Sequence, residues 1–198
     1  MGDDLDDGRS SYDRMVSGDL YIADDPRIVT EQQHAARMLR EFNELYARHA
    51  TASQTLIKRL FGSVGAGTFV RAPLFVDFGH NISVGARTFI NFNFTALDVA
   101  PITIGDDCQI ATNVQLLTPT HPLDADLRRQ KFESAEAITI GNNVWLGGGV
   151  IVCPGVTIGD NAVIGAGSVV TRNIAPNSLA VGNPARVIRQ LDAPAPAS

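Results

Sequence analysis

The stretch from Ile140 to Ala175 reads IGNNVW, LGGGVI, VCPGVT, IGDNAV, IGAGSV, VTRNIA. The first position of every unit is aliphatic: Ile140, Leu146, Val152, Ile158, Ile164, Val170. The fifth is small or β-branched: Val144, Val150, Val156, Ala162, Ser168, Ile174. The same pattern appears upstream as VGARTF and INFNFT from Val84, and as IGDDCQ and IATNVQ from Ile104, making ten units in all. A six-residue unit is one short strand plus a tight turn. Three units close a triangular coil of about 18 residues, and coils stack about 4.8 Å apart through backbone hydrogen bonds. The aliphatic residue points into the prism, where burying a Val, Leu or Ile is worth about 1.5–3 kcal/mol. Gly and Asn at the corners tolerate the left-handed backbone angles of such turns. The reading is therefore a mainly β chain, a parallel β-helix of hexapeptide repeats.

Working outward, the repeat breaks between Leu116 and Ile140, where TPTHPLDADLRRQKFESAEA intervenes in phase. This segment is polar, charged and Pro-bearing, so it predicts a loop over 117–137, of the kind that usually carries function. A smaller insertion, DVAP at 98–101, shifts the phase by two residues. Residues 63–189 form the repeat domain and 14–62 a small helical region. Within that region Thr30 and Gln33 fit a capping box, and Ala35, Met38, Leu39, Phe42, Leu45 and Tyr46 trace one helical face. A second helix is predicted from Ser53 to Phe61. The acidic start, 1–13, reads as a disordered tail and 190–198 as a Pro/Ala-rich one.

Bulk composition bounds the function. Hydrophobic residues are 44% of 198 and charged residues 19%, enough for a real core. A net charge of −5 argues against a nucleic-acid or anionic-membrane surface. No run reaches the 18 or so apolar residues of a membrane span, and MGDDLDDGRSSYDR lacks the apolar core of a signal peptide, so the expected location is cytoplasmic. Cys108 and Cys153 fall in apolar repeat segments and read as small hydrophobes, not as a disulfide or a metal pair.

Several stretches carry a family resemblance: SGDLY at 17–21, INFNF at 90–94, THP at 120–122, the run from Ile138 to Thr171, and GNPARVI at 182–188. Together they resemble the maltose and galactoside O-acetyltransferases of the hexapeptide-repeat acyltransferases, over nearly the whole chain. The resemblance implies left-handed coiling, which periodicity does not give. It also implies a homotrimer, acetyl-coenzyme A as cosubstrate without a metal, and a small sugar as acceptor.

Acetyl transfer to a hydroxyl needs a base, an oxyanion donor and a site for coenzyme A. His121 opens the one long loop, and the resemblance makes it the catalytic base; an imidazole titrating near neutrality suits that task. His34 and His49 read as helix residues and His80 as a rim residue. Asn91 matches the asparagine that holds the acceptor hydroxyl, although Asn93 is an equally plausible corner. Asp77 and Asp98 match acceptor-side positions approximately, and Asp24, or its neighbour Asp25, reaches the same pocket. Val99 stands where the galactoside enzymes carry an aspartate, a departure on the acceptor side. On the donor side the resemblance gives Trp145 to the pantetheine arm, the Gly148 N–H to the thioester carbonyl, and Ala166 to a backbone contact. Thr171, Arg172, Arg186 and Arg189 suit the phosphates. Coil faces are flat, so a cleft needs a second wall, which a cyclic trimer supplies. Two other readings stay open: an acyltransferase for a non-sugar acceptor such as a xenobiotic, an amine or a lipid-linked saccharide, and a non-catalytic scaffold or metal-binding β-helix.

Overall fold

The computed structural model describes residues 7–192. It is a parallel β-helix of triangular section with helices at its N-terminal end. One face stacks Ser63–Val64, Ile82–Val84, Ile102–Ile104, Ile138–Ile140 and Thr157–Ile158. Its outward residues are Ser63, Ser83, Thr103, Thr139 and Thr157, so it is the polar face. A second, the tryptophan face, stacks Phe69–Val70, Phe89–Ile90, Gln109–Ile110, Trp145–Leu146, Val163–Ile164 and Ser178–Val181, with Arg186–Gln190 added antiparallel. The third stacks Leu74–Val76, Phe94–Leu97, Gln115–Leu117, Ile151–Val152 and Val169–Val170. Ile140, Leu146, Val152, Ile158, Ile164 and Val170 are all buried, as the hexapeptide phase requires. Cys108 is buried, Cys153 half-buried, and both are free thiols.

The coils are not uniform. Ile140 stacks on Ile158, 18 residues on, but Val64, Val84 and Ile104 stack at intervals of 20. The extra residues of each early coil fall at the edge joining the third face to the polar face, in DFGHN at 77–81 and in LDVAP at 97–101. The long loop leaves from the same edge one coil higher. The three insertions therefore lie one above another on a single loop edge. The edge between polar and tryptophan faces is regular by contrast. There Arg87, Asp107, Asn143, Asn161 and Asn177 all take positive φ. Asn143 Nδ2 donates to Asn161 Oδ1 and Asn161 Nδ2 to Asn177 Oδ1, each at 2.9 Å.

The helical region closes the bottom of the prism. Helix α1 (Ser11–Ser17) is followed by α2 (Pro26–Tyr46) and α3 (Ala50–Leu60). Leu56, Ile57, Leu60 and Phe61 join one core with Val70, Leu74 and Ile82. Gln54 completes the ladder: its Nε2 donates to Val70 O and its Oε1 accepts from Val70 N, both at 2.9 Å. A side-chain amide thus occupies the place of a missing strand.

Three boundaries differ from the sequence reading. The tail expected over 1–13 is helical from Ser11, because Ser10 Oγ caps α1 by accepting from Asp13 N; residues 1–6 lie outside the described residues. Helix α2 starts at Pro26, with Asp25 as its cap, and not at Thr30, whose hydroxyl donates to Pro26 O within the helix. Proline at the first helical position needs no N–H partner, which makes it the stronger start. The C-terminal tail begins later, since Arg186–Gln190 is a strand and Leu191 N donates to Asn177 O; residues 193–198 lie outside the described residues. The stretch 117–137 is itself ordered, holding two short strands and helix α4 (Ala125–Arg129).

Candidate active site

The loop edge is built from stacked polar residues. Asp98 is fully buried, and its carboxylate accepts from the backbone N–H groups of Asp77 (3.1 Å), Phe78 (2.9 Å) and Asn81 (3.3 Å). Burial pushes its pKa up and the backbone donors oppose that shift. Asp98 was expected to contact the acceptor; instead its oxygens are consumed in holding the corner above which the loop departs. One coil higher, Thr118 Oγ1 donates to Leu97 O at 2.6 Å and accepts from Ala100 N at 3.0 Å. Glu136 N returns to Thr118 O at 3.0 Å and closes the loop's base.

Within the loop, Pro119–Thr120 pairs antiparallel with Phe132–Ala135. The N-terminal strand Tyr21–Ile22 pairs antiparallel on the other side, with Tyr21 opposite Glu133. The SGDLY segment thus runs from the end of α1 into a strand, Tyr21–Ile22, of the loop's own three-stranded sheet. His121 follows the first strand, its side chain 57% exposed. Its Nδ1 lies 3.3 Å from Phe132 O and its Nε2 4.0 Å from Glu133 Oε2. A hydrogen on Nδ1 donated to that carbonyl leaves the Nε2 lone pair available for a proton. Buried Tyr21 stands opposite Glu133, and its hydroxyl pKa is raised first by burial and then by that carboxylate. Asp77 sits beside this group with its pKa pushed up to about 6, first by burial and then by the charges of Asp98 and Glu133.

His121 opens onto a cleft of about 570 Å³ lined by Ile22, Ala23, Asp24, Arg128, Lys131 and Glu133. Asp24 therefore reaches the cleft, whereas Asp25 is spent as the cap of α2 and on Tyr12 N. Arg128 holds the loop start by donating to Pro122 O and Leu123 O. Sequence reasoning missed Tyr21, Arg128, Lys131 and Glu133. The SGDLY motif pointed near Tyr21; nothing local distinguished Glu133 from the other acids of the loop. His80 Nε2 lies 3.7 Å from Glu31, away from this cleft's lining. His49 precedes α3 without capping it.

The other predicted residues lie away from this cleft. Asn91, Gly148 and Ala166 stand on the edge between the tryptophan and third faces, with the Ala111–Asn113 corner between Asn91 and Gly148. Trp145 projects from the tryptophan face with 54% of its surface exposed. It shares a recess of about 170 Å³ with Phe89, Asn91, Gln109, Ile110 and Ala111. The corner glycines Gly149 and Gly167 carry φ of 70° and 72°, and Asn93 and Asn113, below them, 57° and 60°. With glycine or alanine at 147–149 and 165–167, the upper edge is a groove without side-chain walls. Among the described residues the N–H groups of Gly148 and Ala166 donate no hydrogen bond, whereas Gly147, Gly149, Gly165 and Gly167 all do. Two uncommitted, rigid backbone donors in one groove fit an amide-bearing arm such as pantetheine and an adjacent thioester oxygen. Arg186 lies on the strand that ends this groove and donates to Ala185 O; Arg189 follows it, exposed. Thr171 and Arg172 end the third face at the loop edge, so one chain does not gather all four phosphate candidates.

One chain therefore carries two candidate half-sites. His121, Asp24 and Asp77 belong to the loop edge and Asn91, Trp145, Gly148 and Ala166 to the other; the cleft beside His121 is lined by none of the second group and the recess beside Trp145 by none of the first. Among the described residues no group of three or more His, Cys, Asp or Glu is arranged to hold a metal, and no helix is long and apolar enough to cross a membrane.

A hexapeptide β-helix with a histidine loop on one edge and a donor-rich groove on another defines an acyltransferase of the hexapeptide-repeat class. Residues 14–65 match the maltose acetyltransferase hexapeptide capping motif and residues 137–172 the bacterial transferase hexapeptide, six repeats. Nodulation protein L of Rhizobium meliloti (strain 1021) is 42% identical over 179 residues, covering 90% of this chain and 98% of that protein. A maltose O-acetyltransferase from Clostridium difficile 630 superposes with a TM-score of 0.90 at 44% identity, covering 93% of this chain and 99% of the other. A galactoside acetyltransferase in complex with coenzyme A gives 0.89 at 39%, covering 93% and 92%. The chain belongs to the maltose/galactoside O-acetyltransferase family and is an acetyl-CoA-dependent O-acetyltransferase of that type.

Proposed function

We propose that the protein transfers the acetyl group of acetyl-coenzyme A to a primary hydroxyl of a small glucose- or galactose-type sugar, in clefts shared between the subunits of a homotrimer. The observation that carries this reading is the separation of the two half-sites. A base on one edge and an oxyanion groove on another become one site when the edge of one subunit meets the opposite edge of the next. The outward residues support that packing. The polar face presents only Ser and Thr, while Phe69, Phe89, Trp145, Val163 and Leu179 project from the tryptophan face beside Gln109, and Phe75, Ile151 and Val169 from the third beside Thr95 and Gln115. Two mainly apolar faces and one polar face suit a prism that touches two neighbours and leaves one side to water.

In the shared cleft His121 Nε2 takes the proton of the acceptor hydroxyl as its oxygen attacks the thioester carbonyl. The tetrahedral oxyanion receives the N–H of Gly148, and Asn91 Nδ2 holds the acceptor oxygen. Collapse breaks the C–S bond, and the imidazolium returns its proton to the departing thiolate. Trp145 packs along the pantetheine arm, and Arg186 and Arg189 of one subunit with Thr171 and Arg172 of another reach the phosphates. Asp24 and Asp77 hydrogen-bond sugar hydroxyls. Each such bond exchanges against water for about 0.5–3 kcal/mol, so acceptor binding is weak and tolerant.

Release of coenzyme A thiol with a panel of mono- and disaccharides, alcohols and amines, followed by product NMR, tests the acceptor. Turnover confined to an amine or a non-sugar alcohol would keep the reaction and overturn the acceptor. Sedimentation tests the assembly: an active monomer would refute the shared site.

A further inference from the structure

Asn91 does not stand alone on its edge. Arg71, half-buried, lies one coil below it, its N–H donating to Ile90 O. The Arg71 guanidinium stacks on the Phe92 ring, with Cζ 3.5 Å from the ring centroid. Its Nη1 donates to Asn91 Oδ1 at 3.4 Å, and Phe92 N donates to the same oxygen at 2.8 Å. Among the described residues Arg71 makes no ion pair, and Asn91 Nδ2 makes no hydrogen bond. We infer that Arg71 is a positioning residue for the transfer reaction: it fixes the Asn91 amide with its oxygen inward and its NH₂ toward the recess beside Trp145. This rests on the reading of Asn91 as a site residue.

Three physical consequences follow from that arrangement. An asparagine amide has two orientations that differ by exchange of O and N, and two donors at one atom select the orientation with oxygen there. The stack on Phe92 holds the guanidinium plane in place, so the selection persists without a carboxylate partner. A cation at the amide oxygen also polarises the group and strengthens its N–H as a donor. Asn91 is thereby held as a donor to oxygen, the polarity that an acceptor hydroxyl or a developing oxyanion requires, before substrate arrives. Such a group costs no reorganisation during reaction.

The test is a double-substitution cycle on the full-length enzyme, with acetyl-coenzyme A and maltose. Arg71→Met keeps the aliphatic packing and removes the fork. It should lower kcat about tenfold with KM for acetyl-coenzyme A unchanged, a fraction of the about 10²–10³ lost with an oxyanion donor itself. In an Asn91→Ala background the same change should lower kcat no further. Arg71→Lys, which keeps charge but not the fork, should fall between. Equal losses in both backgrounds would make Arg71 a general structural residue and overturn the proposal. Wild-type kcat in Arg71→Met beside a crippled Asn91→Ala would overturn it too, leaving the site reading intact. Wild-type kcat in Asn91→Ala would refute the site reading itself. An activity-independent readout is the side-chain amide pair of Asn91 in an asparagine-labelled NMR spectrum, identified by its loss in Asn91→Ala. It should move and broaden in Arg71→Met; an unchanged pair would overturn the proposal regardless of acceptor.

Discussion

Replacing Asp77 by asparagine should make the protein more stable and less active at neutral pH. The Asp77 carboxyl is half-buried between Asp98 and Glu133 and makes no hydrogen bond or ion pair among the described residues. Its pKa stands at about 6 against an ordinary 3.8. A shift of about two units corresponds to about 3 kcal/mol at 1.36 kcal/mol per unit. Access to solvent screens the neighbouring charges, so about 1–2 kcal/mol is the realistic size. The folded protein binds this proton more tightly than the unfolded chain does. The stabilising effect of the bound proton is complete below about pH 4 and is lost as pH rises through 6. Above that the ionised group is a fixed cost. Asp77→Asn removes the cost, so its stability advantage should be near zero at pH 4, grow between 4 and 6, and level off at about 1–2 kcal/mol. Urea midpoints for both proteins, taken from pH 4.5 to 7.5 at one protomer concentration, measure this; the fixed concentration matters because an oligomer's stability depends on it. The difference between the two proteins isolates Asp77 from other titrating groups. KM for the sugar should rise several-fold in the same variant, the exchange of stability against function common at such sites. A variant equally or less stable at pH 7.5, or a stability difference that ignores pH, would refute the account of Asp77.

Further consequences can be checked separately. His121→Ala should lower kcat by about 10²–10⁴ while leaving acetyl-coenzyme A affinity near normal, measured by equilibrium binding beside turnover. Two adjacent glycines should behave differently. An added methyl at Gly147 would meet the backbone N of Ala166 at 2.6 Å, so Gly147→Ala should lower the melting temperature; at Gly148 the nearest atoms are Thr112 oxygens at 3.6 Å, so Gly148→Ala should fold normally and raise KM for acetyl-coenzyme A. Arg172→Ala combined with Arg189→Ala should raise KM for acetyl-coenzyme A more than for a donor lacking the 3′-phosphate. Equal effects on the two donors would give these arginines a structural role.

The repeat was legible because its physics is local. Ile140, Leu146 and Val152 point inward at a fixed interval whatever else the chain does, and a turn residue must recur between them. His121 was legible because the one long interruption of that period begins beside it. The residues around it were not. Tyr21 and Glu133 meet through a two-residue and a four-residue strand that are over 100 positions apart in the chain, and such pairing leaves no periodic trace. Asp98 misled because residue type says that a carboxylate can bind a hydroxyl, while burial and three backbone donors decide that this one does not. The insertion at DVAP showed in sequence only as broken phase, and the one at DFGHN, below the first readable units, did not show at all. Stacking at 20-residue intervals sets them on one edge beneath the loop. Sequence alone determined the coil and its core, since these depend on near neighbours and on a constant rise per coil, and it marked His121 by its place at the head of the one long interruption. Which edge each functional residue occupies was decided only by tertiary structure. That assignment is the sum of every insertion below it, and it puts His121 and Asn91 on different sides of one prism.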